Sequence, residues 1–288
     1  MNKKISYFIY KLVYFFNLLY FFLFKKNFLF LFYDFIQKDS YIKKNILKKK
    51  INFFTPNELT RWRVETFFDK EPETIEWINS FDDSKAIIFW DIGANIGLFS
   101  IYNSLKNKKS CTISFEPSTS NLKVLSRNIS INNLKNISIF PIALSDKKSG
   151  FFRMNESKFM DGGALNTFGE KYDFEGKNFK PEMSYNLYGA NIEKLLDNKF
   201  LNIPNYIKID VDGIEHLILK GMGKYLRNPK IKSILVEVNE NFQIQFKTII
   251  SLMRKNNFSL LYKKNNVDFF KNNEKHKKTF NYIFKKIR

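Results

Sequence analysis

Two apolar runs that break into loops of opposite chemistry constrain this fold more than any other feature of the chain. Ala86 to Trp90, closed by Asp91, opens into Ile92-Gly93-Ala94-Asn95-Ile96-Gly97, while Ile207-Lys208-Ile209 ends in Asp210-Val211-Asp212-Gly213-Ile214-Glu215. Short apolar runs with glycine punctuation behind them read as buried parallel strands. In an open α/β sheet, ligands bind at the carboxyl ends of neighbouring strands, where the winding reverses. One glycine-rich and one acidic strand end therefore predict a nucleotide-like cofactor held beside a reaction centre.

Gly93 lets the chain turn sharply and a ligand come close, because it has no Cβ. Gly97 lets the next helix, expected over Leu98 to Lys106, pack near the strand. The Gly-x-x-x-Gly spacing is neither a dinucleotide fingerprint nor a P-loop, since no Gly-Lys-Ser/Thr follows. Taken alone, the turn is as much a packing device as a binding one. Cys111 to Phe115 reads as the second strand, ended by Glu116 and Pro117. An acid there can accept hydrogen bonds from both ribose hydroxyls, a better account of its position than a solvated loop glutamate. Asn121 to Asn132 has Leu122, Leu125 and Ile129 on one helical face. Ile137 to Leu144 is expected as a third strand, with the region behind it along an adenine edge.

Together these residues resemble the FkbM family of S-adenosylmethionine-dependent methyltransferases. The resemblance runs in family order over roughly residues 60 to 240. It rests on Lys70-Glu71-Pro72-Glu73-Thr74-Ile75-Glu76-Trp77-Ile78, the Asp91 to Gly97 turn, Phe115-Glu116-Pro117, and Asn128-Ile129 with Asn132. It continues through Ala143-Leu144-Ser145-Asp146 to the Lys208 to Glu215 block, which is the most specific piece. The resemblance implies a class I Rossmann-like α/β fold, a mostly parallel sheet of seven strands with one antiparallel strand. It implies methyl transfer from S-adenosylmethionine to an acceptor hydroxyl, often on a sugar. Asp91, Gly93, Ala94, Asn95 and Gly97 would then cradle the amino-acid part of the cofactor. Glu116 would hold the ribose, and Ala143, Leu144 and Ser145 would border the adenine. The family pattern often has Glu where this chain has Asp212, a shortening by one methylene.

Asp210 is the expected catalytic residue. A sugar hydroxyl is a poor nucleophile, and a nearby carboxylate can remove its proton as it attacks. Burial would have to raise the Asp210 pKa for that task; alternatively Asp210 only orients the acceptor or faces the sulfonium. Asp212 would share its face on a continuing strand. Paired carboxylates are also Mg²⁺ ligands, but Asp212-Gly213 equally makes the turn into a helix, so no metal site is assigned. Glu215 suits that helix's first turn. His216 is read as a surface or packing residue rather than a base. Ile231 to Val238 is the fifth strand, and Glu237 near its end either contacts the acceptor or bonds neighbouring backbone.

Gln243 to Asn256 reads as a helix, Phe258 to Tyr262 and Thr279 to Phe284 as closing strands, and Lys263 to Lys278 as a solvent-exposed loop. Phe151 to Gly189 shows no clear period and is expected as an irregular insertion, a lid or binding loop, with a flexible turn at Asp161 to Asn166. Asn191 to Lys199 reads as a short capped helix.

With 288 residues and 44% apolar composition, the chain can bury one good-sized core. The expected organisation is a hydrophobic, basic extension over residues 1–50 and a methyltransferase domain over 51–288. The single Cys111 excludes an intramolecular disulfide, fits a reducing compartment, and is expected as a small filler in a buried strand. A formal charge of +20 favours anionic surfaces. No aromatic-basic RNA motif and no Asn/Asp-Pro-Pro-Tyr block accompanies it, which argues against a nucleic-acid substrate. Residues 5–36 are rich in Phe, Leu, Ile and Tyr, broken by Lys11, Asn17 and Lys25-Lys26. The uncharged core, Leu12 to Phe24, is shorter than the roughly 20 residues a span needs, and no small-residue cleavage site marks a signal peptide. Interfacial attachment to a membrane fits best, with a spanning helix and a helical cap on the domain as alternatives. The sequence thus predicts a cytosol-facing O-methyltransferase, attached to the inner face of a membrane and acting on a carbohydrate or glycolipid. Its rivals are a non-catalytic membrane-bound scaffold and a nucleic-acid methyltransferase.

Overall fold

The computed structural model describes residues 2–82, 84–178, 180–265 and 277–287. The chain forms two compact units, Met1–Ile42 and Lys43–Arg288. In the first, helices Asn2–Phe24 and Leu29–Asp39 are joined by a short turn. The second helix lacks a capping side chain of its own. Asn17, buried within the first, fills that role, its Oδ1 accepting from the Phe28 and Leu29 amides at 3.0 and 3.2 Å. Two of the orphan donors at a helix start are thereby satisfied.

The second unit is built on a seven-stranded sheet. Its spatial order is Phe258–Lys264, Thr279–Lys286, Ser233–Asn239, Tyr206–Ile209, Ile88–Ile92, Cys111–Phe115, Ile137–Phe140. All neighbours pair in parallel except Thr279–Lys286, which runs antiparallel to both of its partners. Phe89, Trp90, Ile207, Ile209, Ile234 and Val236 are all fully buried, which is why these strands read as unbroken apolar runs. The chain winds outward from Ile88–Ile92 to one edge, then returns to place Tyr206–Ile209 on its other side. The switch in winding therefore falls between the two strands singled out in the sequence.

Helix Pro72–Asn79 begins on Pro72, whose missing N–H costs nothing at a first helical position. It is anchored beneath the sheet by Trp77 Nε1 donating to Ser233 Oγ (2.9 Å) and Glu73 accepting from Asn281 Nδ2 (2.7 Å). Asn128 accepts from the Phe54 amide (2.7 Å) and Asn132 from the Asn52 amide (2.9 Å), docking the Lys49–Phe54 strand on helix Thr119–Ile131.

Four expectations are corrected. The run Ile137 to Leu144 is two strands, because Pro141 has no N–H to continue a ladder. Ala143–Leu144 joins a second sheet instead. The insertion Phe151 to Gly189 is largely that sheet: Ser149–Glu156 and Met183–Ala190 pair antiparallel over their whole lengths, with Thr167–Phe168 on the outer edge. The Asp161 to Asn166 turn is pinned, since Gly163 O accepts from Asn95 Nδ2 (2.7 Å) and Asn121 Nδ2 (3.1 Å). Cys111 is exposed, being the first residue of its strand at the sheet's amino-terminal edge. Of the predicted loop Lys263 to Lys278, residues 266–276 lie outside the described residues.

Candidate active site

Gly93 leaves its strand with φ +83°. A Cβ there would lie 1.8 Å from the Asp210 carbonyl oxygen, so only glycine permits the two strand ends to meet. The Asp210 amide donates to Ile92 O (3.0 Å), continuing the ladder one step past the strand. A cleft of about 570 Å³ opens above this junction. Its lining is apolar in Ile142, Ala143, Leu144, Met154, Phe168 and Ile218 and polar in Asn95, Glu116, Asp210 and Asp212. Apolar walls together with carboxylates suit a ligand with a flat base, a diol and a cationic sulfur and ammonium.

Glu116 is buried and already organises the turn. Its Oε2 accepts from the Asn95 amide (2.7 Å) and its Oε1 from the Ser118 amide (2.9 Å). Burial nevertheless pushes its pKa up to about 7, so a diol donating to its remaining lone pairs would stabilise the charged form. Gly93, Asn95, Ala143 and Leu144 line this cleft as predicted positions, whereas Asp91, Gly97 and Ser145 do not. Asp91 lies beneath it, accepting from Ser100 Oγ at 2.6 Å. Gly97 starts helix Leu98–Lys106 at φ +90° and faces Leu125. Ser145 is buried, and its Oγ accepts from the Lys147 amide. Ala94 lines an adjoining cleft instead.

At the acidic end, Lys208 and Asp210 point to one side of their strand, two residues apart. Lys208 is buried and its Nζ bonds Asp210 Oδ2 at 2.7 Å, with the same ammonium 4.9 Å from the Phe99 ring. Asp210 keeps 21% side-chain exposure, the environment of a cleft wall rather than a sealed core. Burial pushes its pKa up, but Lys208, Lys70 and Arg63 outweigh that and hold it below the ordinary carboxylate value. The rise expected for Asp210 falls on its neighbours instead. Asp212 is pushed up to about 6 by burial and by the Asp210 charge. Glu237 is pushed well above its ordinary value by burial and by Asp210, Asp212 and Glu215.

The strand does not continue to Asp212. It ends at Ile209, and Asp212 adopts φ +63°, with its Oδ2 accepting from the Leu165 amide (2.6 Å). Even so, oxygens of Asp210, Asp212 and Glu237 lie within 4.8 Å of one another. This set has the oxygen chemistry of a Mg²⁺ site; without a cation, like charges so close favour sharing protons. Glu215 is taken up structurally, accepting from the Val211 and Gly213 amides and from Gln245 Nε2. His216 is buried against Phe242, and burial lowers its pKa to about 4, so it packs rather than titrates.

Three cations beside Asp210 had no role in the sequence reading: Lys208, Lys70 and Arg63. The first two sit inside the quoted blocks, and a lysine within an apolar strand was itself a signal, since it must find an acid when buried.

A family model described as the methyltransferase FkbM domain matches residues 91–260, more than half of the chain. The chain belongs to the FkbM methyltransferase family. The matched region contains the strands Cys111–Phe115, Ile137–Phe140, Tyr206–Ile209 and Ser233–Asn239 and the Gly93 turn. Among solved structures it is similar to a methyltransferase FkbM from Methylobacillus flagellatus, at 16% identity and TM-score 0.40. That match covers 60% of this chain and 38% of the other, so the chain spans well under half of that protein's length. It is also similar to a precorrin-6y C5,15-methyltransferase from Geobacter metallireducens (14% identity, 75% and 87% covered, TM-score 0.44). A third likeness is to TrmK of M. capricolum, solved with S-adenosylhomocysteine (12% identity, 74% and 68% covered, TM-score 0.41). No curated protein matches the chain.

Proposed function

We propose that this FkbM-family member is an O-methyltransferase acting on a sugar hydroxyl of a glycan or glycolipid. The observation that carries this reading is the carboxylate cluster of Asp210, Asp212 and Glu237 at the switch in winding, beside the glycine turn. Bound S-adenosylmethionine supplies a methyl group on a cationic sulfur. Gly93, Asn95, Glu116, Ala143 and Leu144 would hold it, and Asp210 would face the positive charge. Asp210 stays ionised in its Lys208 pair, so it orients the acceptor rather than taking a proton. Asp212, with a pKa of about 6, suits the base, being mostly ionised at neutral pH yet basic enough to accept the hydroxyl proton. Glu237, whose proton affinity is raised by burial and by Asp210, Asp212 and Glu215, is the member of the cluster best suited to carry a shared proton.

Helix Asn2–Phe24 is apolar over most of its surface, Lys3–Phe24 is long enough to cross a bilayer by length and composition, and its aromatic side chains are exposed. Such a surface fits lipid, with Lys3, Lys4, Lys25 and Lys26 near acidic headgroups. We infer attachment to the inner face of a membrane, where a lipid-linked acceptor would be presented.

The test is incubation with methyl-labelled S-adenosylmethionine and separate membrane-glycan, soluble-glycan and RNA fractions. Label should enter a glycan fraction and vanish with Asp210→Asn, while S-adenosylhomocysteine still binds that variant. Label confined to RNA would replace this reading with nucleic-acid methylation. Cofactor binding without label in any fraction would favour a non-catalytic scaffold.

A further inference from the structure

A second cleft adjoins the first and shares Gly93, Asn95 and Asp210 with it. It is a solvent-open cleft of about 500 Å³, lined in part by Arg63 of helix Glu58–Glu65 and by Phe67 and Lys70 of the short helix Phe67–Lys70. Its charge balance is not explained by methyl transfer alone. Three cations, Arg63, Lys70 and Lys208, line it against two acids, Glu71 and Asp210. Lys208 pairs with Asp210 at 2.7 Å and Lys70 with Glu71 at 2.5 Å. Arg63 is left over.

Arg63 is not a loose surface arginine. Its helix is fixed by a capping box between Asn57 and Thr60. Its Nε donates to Gly162 O at 2.8 Å, which orients the guanidinium. The two terminal amino groups make no hydrogen bond among the described residues, and together they form a fork matched to a carboxylate, phosphate or sulfate. The charge is also felt across the cleft, where it helps to keep Asp210 ionised. Phe99, backed by the buried ring of Phe67 with centroids 5.4 Å apart, provides an apolar wall beside it, a surface on which the C–H face of a sugar can rest.

We propose that this second cleft holds the acceptor, and that the acceptor is a sugar carrying an oxyanion, which Arg63 grips through its terminal amino groups while a hydroxyl lies at Asp210. The inference deepens the methyl-transfer reading and rests on it for the identity of the cleft. A neutral sugar would leave the Arg63 fork unpaired at the moment its water is displaced, and that loss sets the selectivity.

The experiment is calorimetry on the full chain at fixed salt, with S-adenosylhomocysteine titrated first. The saturated protein is then titrated with methyl glucuronoside, glucose phosphate, glucose sulfate and, as the neutral control, methyl glucoside. The charged sugars should bind at least about tenfold more tightly than the neutral one. Arg63→Ala should erase the difference, and Arg63→Lys should restore part of it, giving charge without the fork. The tightest of the three charged probes identifies the oxyanion. Equal binding of neutral and charged sugars, no charged sugar binding at millimolar concentration, or a preference that survives Arg63→Ala would each overturn the proposal. Unchanged affinity for S-adenosylhomocysteine shows that the variants are folded. If S-adenosylhomocysteine fails to bind while charged sugars still select through Arg63, the methyl-transfer reading falls and the anion site stands.

Discussion

Asp212 is the residue at which strain and charge meet. A positive φ of 63° is costly for a side chain with a Cβ, and it aims the carboxylate at the cleft, a few ångströms from Asp210. Burial and that neighbour raise its pKa from an ordinary 3.8 to about 6. Between those values the folded chain holds a proton that the unfolded chain has released, so folding takes up a proton and stability falls as pH rises. Below about pH 4 the contribution vanishes, and above about pH 7 it is a constant penalty. Asp212→Asn should therefore match the wild type in acid and exceed it at neutral pH by on the order of 1–2 kcal/mol. Denaturant melts of both proteins across this range check it. An Asn variant that is less stable at neutral pH would show that the charge is compensated rather than strained. In the methylation assay the same variant should lose most of its activity, because an amide cannot take the proton.

At the scale of elements, the decisive junction is the turn at Gly93 against the end of the Tyr206–Ile209 strand. A Cβ at Gly93 collides with backbone at 1.8 Å, whereas one at Gly97 meets only Leu125 Cδ1 at 2.5 Å, the far end of a side chain that can move. Both glycines have positive φ, so the difference isolates the backbone contact. Gly93→Ala should cost at least about 3 kcal/mol and abolish S-adenosylhomocysteine binding, while Gly97→Ala should cost about 1–2 kcal/mol and keep it. Equal losses in the two melts would mean that the strand ends can part freely. This junction was legible in the sequence because buried parallel strands leave continuous apolar runs and their ends leave glycines and acids. The helices Leu98–Lys106 and Gln243–Lys255 were legible for the related reason that one face of each is apolar. The second sheet was not. In Ser149–Glu156 the burial does alternate from Phe151 onward, but the exposed face holds Phe151 and the buried face holds Glu156, so polarity does not follow it and no period of two can be read from the sequence. The clustering of Glu237 with Asp210 and Asp212 depends on strand register, and the register of Ser233–Asn239 against Tyr206–Ile209 is set by tertiary pairing. Arg63 lay outside every motif, since only folding brings its helix to the cleft.

At the scale of the whole chain, composition and the amino-terminal unit point to the same partner. Residues 2–26 carry Lys3, Lys4, Lys11, Lys25 and Lys26 and no acid, in a chain of net charge +20. The first helix has 23 residues, about 35 Å of rise against a hydrocarbon layer of about 30 Å. Asn17 is its one polar residue deep in the apolar stretch. It accepts from the Phe28 and Leu29 amides, so its own carbonyl is satisfied and fewer polar groups at the start of the second helix would face lipid. Two modes of attachment separate by salt. Charge alone is screened within about 10 Å at moderate ionic strength, while apolar burial is not. The full chain should therefore sediment with vesicles containing acidic lipid and stay bound after a high-salt wash. Asn17→Leu would free the Phe28 amide, while the Leu29 amide keeps Asn27 Oδ1 at 2.9 Å, and the hairpin should then loosen and lose protection from protease on those vesicles. Complete release by salt would reduce the attachment to surface electrostatics, and absence of binding to any vesicle would leave the aromatic helix to a protein partner instead.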